Sequence, residues 1–189
     1  MGLTKAKESN RILVRRSTYR ENPDVYLTDL TFKNLTKASN LNPQQAGINW
    51  GSVELISYLA NDGTPLQGLL FKPEGFDSSK KYPMMVYFYE RNSDTYHNYR
   101  APAPSRSTIN IPFFVSNDYL VFVPDIKYDL GLPGPSAYNC IIPGVQAVIA
   151  REEWIPKIWR SKAKVGEGIR LLTSSPKRIC LKPQVPVRR

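Results

Sequence analysis

The polar and apolar positions fall into two rhythms along the chain. Residues 52–59 (SVELISYL) alternate, as a half-buried strand does, and Asp62-Gly63 supplies a turn. The segment 65–73 (PLQGLLFKP) returns as the partner, so a hairpin is predicted. Residues 83–89 (PMMVYFY) and 119–125 (YLVFVPD) are instead continuous apolar runs, the pattern of strands covered on both faces. Two such strands can run parallel only through a crossover, and residues 91–118 are long enough to provide one. Pro143 is predicted to open a helix over GVQAVIAREEW, standing in the tolerated first turn. Hairpin, buried strand, crossover, buried strand and helix together predict the front half of an α/β sheet. Upstream, 12–17 and 24–29 read as short strands around Asn22-Pro23, and the Asn-, Gln- and Ser-rich stretch 35–49 reads as a linker. There is no internal repeat and no coiled-coil heptad.

Composition changes this picture little until the end of the chain. The 189 residues are 41% hydrophobic and 22% charged, as in a globular protein. No apolar run approaches the ~18 residues that span a membrane, and Lys5, Lys7 and Glu8 begin a polar N-terminus rather than a signal peptide. Cys140 and Cys180 form neither a metal-ligand spacing nor a disulfide framework. The compartment is therefore not legible, with the cytoplasm as default. The net charge of +10 suggests nucleic acid until it is mapped. Residues 151–189 hold 11 Lys/Arg against 3 Asp/Glu, whereas residues 1–150 hold 15 against 13. So abrupt a shift marks a boundary near residue 150.

Three strings, in this order, carry a resemblance: NPQQ, then WGSVELISYLANDGTPLQGLLFKPEGFDSSKKYPMMVYFYERNSD, then SNDYLVFVPDIKYDLGLPGPSAYNCIIPGVQAV. Together they resemble the prolyl oligopeptidase family of serine peptidases, in particular its dipeptidyl-peptidase-like and acylaminoacyl-peptidase-like members. The resemblance implies an α/β-hydrolase domain preceded by a β-propeller. Residues 1–46 would be the end of the propeller and its linker, 47–150 the N-terminal half of the hydrolase domain, and 151–189 a disordered basic tail. It also implies a peptide substrate and no metal or organic cofactor. A tyrosine just after the buried strand serves the oxyanion hole in related peptidases, and Tyr89 occupies the matching place. A phenol hydroxyl there would stabilise charge developing on the carbonyl oxygen. Taken alone, Tyr89 reads more simply as an aromatic completing the strand beside Tyr87 and Phe88. Glu90 and Arg91 also depart from the commoner pattern, in which small residues follow the tyrosine.

The catalytic triad is expected to be absent. A hydrolase of this kind needs Gly-x-Ser-x-Gly on a strand-to-helix turn, followed by Asp and then His. Here the corresponding stretch reads IWRSKAKVGEG, and Ser161 lies between Arg160 and Lys162. The single histidine, His97, precedes any such serine. The tail itself suggests the cause. Read in the frame that starts at the third base of each codon, residues 160–189 permit VQGQSWGGYQIAYLITQTDLFKAAGAGAP. That string contains a Gly-x-Ser-x-Gly elbow where the family requires one. The observed residues impose two of the three bases in most such codons, and the free choices are the wobble base and the codon set used for Ser, Leu and Arg. A frameshift near Arg151–Trp154 is therefore expected, with the lost serine codon straddling Lys164 and Val165.

A competing reading makes the basic tail a nucleic-acid-binding element. Lys162, Lys164, Arg170, Lys177, Arg178, Lys182, Arg188 and Arg189 would meet phosphates, and Trp154 and Trp159 would stack on bases. The frameshift accounts for the same charge without a partner. Membrane association is not expected, and the oligomeric state is not legible. Cutting a hydrolase sheet at this point also predicts an open edge, with Val86, Phe88, Leu120, Phe122 and Val123 short of partners.

Overall fold

The computed structural model describes residues 2–103, 108–151, 159–163, 169–172 and 180–183. It divides into two compact units: Met1–Ile48 with His97–Ala101, and Asn49–Tyr96 with Pro102–Arg189.

The first unit is a four-stranded antiparallel meander. β1 (Gly2–Lys5), β2 (Arg11–Arg16), β3 (Asp24–Asp29) and β4 (Thr36–Lys37) pair in chain order. β2 alternates as expected, with Ile12 and Val14 buried and the intervening Leu13 exposed. The stretch 35–49 is not wholly a linker, since it contributes β4 and a 3-10 turn over Pro43–Gly47. Asp24 is buried yet well served. Its carboxylate accepts from the Ser39 hydroxyl and pairs with Lys37 at 2.8 Å, an arrangement that ties β3 to the segment after β4.

The second unit is built on a five-stranded sheet of order β5-β6-β8-β7-β9. β5 (Ser52–Leu59) and β6 (Pro65–Lys72) form the expected antiparallel hairpin, with Ser52 opposite Lys72 and Leu59 opposite Pro65. β7 (Met84–Phe88) and β8 (Leu120–Pro124) are parallel neighbours. Between them α1 (Ile111–Ser116) is capped by Asn110, whose side chain accepts from the Phe113 amide at 3.1 Å. All five residues of β8 are buried, as its unbroken apolar run demands. Gly68 lets β6 lie close to β8, because a Cβ there would stand 2.7 Å from the Phe122 ring.

The helix α2 corrects the expectation for Pro143. It spans Pro133–Arg151, so it begins ten residues earlier and holds Pro143 inside. Proline in a helix interior strips a hydrogen bond from the carbonyl four residues back. That carbonyl belongs to Asn139, and it accepts instead from the Asn61 amide at 3.1 Å, while the Asn139 side chain accepts from the Asp62 amide. The hairpin turn thus satisfies the group that Pro143 frees. The next residue, Gly144, admits the Tyr58 ring, 2.7 Å from where a Cβ would stand. Ala137, Cys140, Ile141, Val145 and Val148 complete the helix face on the core of Ile56, Leu70, Met84, Val86 and Phe122.

Two further expectations are corrected. Val86, Phe88, Leu120, Phe122 and Val123 keep their partners, all being at most 3% exposed. Moreover, the edge of β7 is paired. β9 (Trp159–Ala163) runs parallel to it, with Met84 opposite Trp159 and Phe88 opposite Ala163. An unpaired strand edge is a row of unmet donors and acceptors, and it captures this segment. The basic tail, expected to be disordered, contains two more strands, β10 (Ile169–Leu172) and β11 (Cys180–Pro183), which pair antiparallel. The remainder of 151–189 lies outside the described residues, apart from Arg151 at the end of α2.

Candidate functional site

The strand order reverses between β7 and β9, which flank one another with β8 on the far side of β7, so the carboxyl end of β7 is where an α/β sheet of this order places its chemistry. Tyr89 is the first residue beyond β7 and is 48% exposed, unlike Tyr87 and Phe88 before it, which are buried. The chain therefore turns Tyr89 out of the strand, so it is not another core aromatic. Its carbonyl oxygen accepts from the Tyr128 hydroxyl at 2.9 Å. Burial, with smaller contributions from neighbouring acidic groups, raises the Tyr128 phenol above its ordinary range and keeps it a donor.

The loop after Tyr89 is held from β8. Asp125 ends that strand and is 6% exposed. Its Oδ1 accepts from the Asn92 amide at 2.6 Å and the Ser93 amide at 2.9 Å. Its own amide donates to the Gln67 carbonyl at 2.8 Å, and its carbonyl accepts from the Tyr58 hydroxyl at 3.2 Å. The next amide, Ile126, donates to the Glu90 carbonyl at 3.0 Å. A single residue thus joins β6, β5 and the Tyr89 loop. Buried carboxylates require such partners. Sequence reasoning missed Asp125 because its partners are backbone amides more than thirty residues away. The only sequence signal is an acidic residue ending a fully apolar strand. Tyr58 is buried against this corner, and desolvation pushes its phenol far above the ordinary value.

A cavity of about 740 Å³ opens beside this corner, with Tyr58, Leu59, Leu66, Arg91, Asp125 and Lys127 on its wall. Neither Cys140, which is buried and contacts the Lys127 carbonyl, nor His97 is among its lining residues. His97 lines a separate cavity of about 570 Å³ with Arg15 and Arg16 in the first unit. Ser161 lies in β9, two residues before its end. Lys164 and Val165, with most of the basic residues of the tail, lie outside the described residues. Among the described residues no group of three His, Cys, Asp or Glu side chains could hold a metal, and no helix is long and apolar enough to cross a membrane.

The architecture has clear counterparts among solved structures. The acylaminoacyl peptidase of Pyrococcus horikoshii aligns with 86% of this chain at a TM-score of 0.56 and 14% identity. A putative dipeptidyl aminopeptidase IV from Bacteroides ovatus aligns with 86% at 0.51 and 22% identity. A post-proline cleaving enzyme from Rickettsia typhi aligns with 85% at 0.53 and 16% identity. The chain covers only 26%, 24% and 24% of those proteins, about a quarter of their length. No family model matches the sequence, and none of the curated proteins matches it.

Proposed function

We propose, from the prolyl oligopeptidase family fold that this chain carries, that it is a piece of a serine peptidase whose reading frame was lost just before the nucleophile. Residues 1–46 are then the end of the propeller, 47–150 the N-terminal half of the catalytic domain, and 151–189 an out-of-frame tail. The observation that carries this reading is the register of β9. Phe88 of β7 faces Ala163, and the strand ends there. The alternative frame encodes Gln and then Ser in the two codons after that point. A nucleophile elbow is a turn at the end of a strand, and the hidden serine falls two residues past such an end.

In the intact enzyme the serine would attack a peptide carbonyl. A histidine would take its proton and return it to the leaving amine, and an aspartate would orient that histidine. Tyr89 would donate its hydroxyl to the oxyanion, where a preorganised donor lowers the barrier most. The arrangement around Asp125 supports that role, because it fixes the backbone on which Tyr89 turns outward. The 189-residue chain would contribute this donor and scaffold and no nucleophile, which makes it inactive alone. The experiment is labelling with a fluorophosphonate, which reacts with activated serines. The chain should remain unlabelled while an intact prolyl oligopeptidase in the same tube reacts. Labelling at any serine of this chain would overturn its assignment as inactive.

A further inference from the structure

The cavity at the carboxyl ends of β7 and β8 has a chemistry that the peptidase reading does not use. Its lining includes the apolar side chains of Leu59 and Leu66 and the ring of Tyr58, Leu59 being exposed and Tyr58 buried. The same lining includes two cations, Arg91 and Lys127, which lie on different loops. Among the described residues neither makes an ion pair. Lys127 acts on the Asp62 carboxylate only at longer range. The one carboxylate on the wall, Asp125, has Oδ1 committed to the Asn92 and Ser93 amides. The lining therefore carries two cations against one carboxylate, beside apolar side chains.

We infer that this cavity binds a carboxylate attached to an apolar group, with Arg91 and Lys127 gripping the carboxylate and Leu59, Leu66 and Tyr58 enclosing the apolar part. The guanidinium fork suits a carboxylate in particular, since two parallel N–H donors match its two oxygens. Arg91 stands where the family's commoner pattern has a small residue, so the site belongs to this chain rather than to the fold. The C-terminal residue of a peptide has this chemistry. Identifying the ligand as a peptide end rests on the peptidase reading, whereas the cavity and its charge do not.

The test is a titration of the isotopically labelled 189-residue chain with N-acetylphenylalanine, its amide, and Gly-Gly-Phe, followed through the backbone amides of residues 91–93 and 125–127. The acid should shift these amides saturably and bind at least about tenfold more tightly than the amide, because only the acid meets the two cations. Added salt should narrow that difference. Arg91→Gln and Lys127→Gln should each weaken the acid and leave the amide unchanged. Both side chains are exposed, so these variants should fold, and the unaltered amide affinity would verify it. Equal affinity for acid and amide, or full acid affinity in the double variant, would overturn the site. Binding of Gly-Gly-Phe as tight as that of the acid supports a peptide end, and its exclusion overturns that identification. Failed binding with the alternative frame intact would remove only this site. Binding with the frame refuted would leave the cavity standing without a peptidase.

Discussion

Asp125→Ala separates the loop clamp from the rest of the sheet. The substitution removes the acceptor for two amides, at 2.6 Å from Asn92 and 2.9 Å from Ser93. A hydrogen bond to a charged group contributes about 1.5–3 kcal/mol, and an orphaned buried donor costs about 1–3 kcal/mol. Water from the adjoining cavity can reach part of the vacated space, so the two losses should total about 3 kcal/mol rather than their full sum. The backbone bonds of residue 125 to Gln67 and Tyr58 survive the change, which confines the damage to the loop. Asp125→Asn keeps an acceptor oxygen without the charge. Charge-assisted bonds are about twice as strong as neutral ones, so it should cost about half as much. Urea unfolding followed by intrinsic fluorescence would read the midpoint, with an unchanged slope showing a stability effect alone. Amide exchange supplies the local readout: Asn92 and Ser93 should lose protection in the alanine variant. A midpoint within about 0.5 kcal/mol of the parent, with both amides still protected, would refute the clamp.

Two other perturbations test the structure at separate points. Gly51 has φ +66°, and a Cβ there would stand 1.9 Å from the Lys72 carbonyl oxygen and 2.6 Å from Val115, so Gly51→Ala should cost more than about 3 kcal/mol in a thermal or urea melt; a parent-like midpoint would contradict the geometry. In the first unit, hydrogen bonds from Lys37 and then Ser39 lower the Asp24 pKa from 3.8 to about 2. The folded value lies below the unfolded one, so Asp24 stabilises the fold above about pH 4, and that contribution disappears as pH falls towards 2. Carboxyl NMR should show Asp24 titrating near the lower value, and Lys37→Gln should move it upward. Titration of the parent at an ordinary aspartate pKa would remove the claim.

The sequence revealed elements wherever a local pattern determines structure. Alternation in 52–59 and the Asp62-Gly63 turn made the hairpin legible, and the apolar runs at 83–89 and 119–125 made the parallel pair legible. β1 was hidden because all four of its residues are exposed, so it carries no burial period. The start of α2 was hidden because Pro133-Gly134-Pro135 resembles a loop, and Pro143 was taken for a helix start because its effect is cancelled from outside the helix. The acceptor of the Asn61 amide lies 78 residues away, and no local window contains that exchange. The family pattern singles out Tyr89 only as a candidate, whereas Asp125 required the fold to bring it to Asn92 and Ser93. β9 was the least legible, since its place depends on the open edge of β7.

The frame loss is tested most directly by reading the coding DNA across codons 145–190 and onward. The account predicts wobble bases that spell GQSWGG in the alternative frame, running on to an Asp and then a His in hydrolase context. Codons that forbid that string would contradict it, and the basic tail would then have to be explained as a working part of the protein.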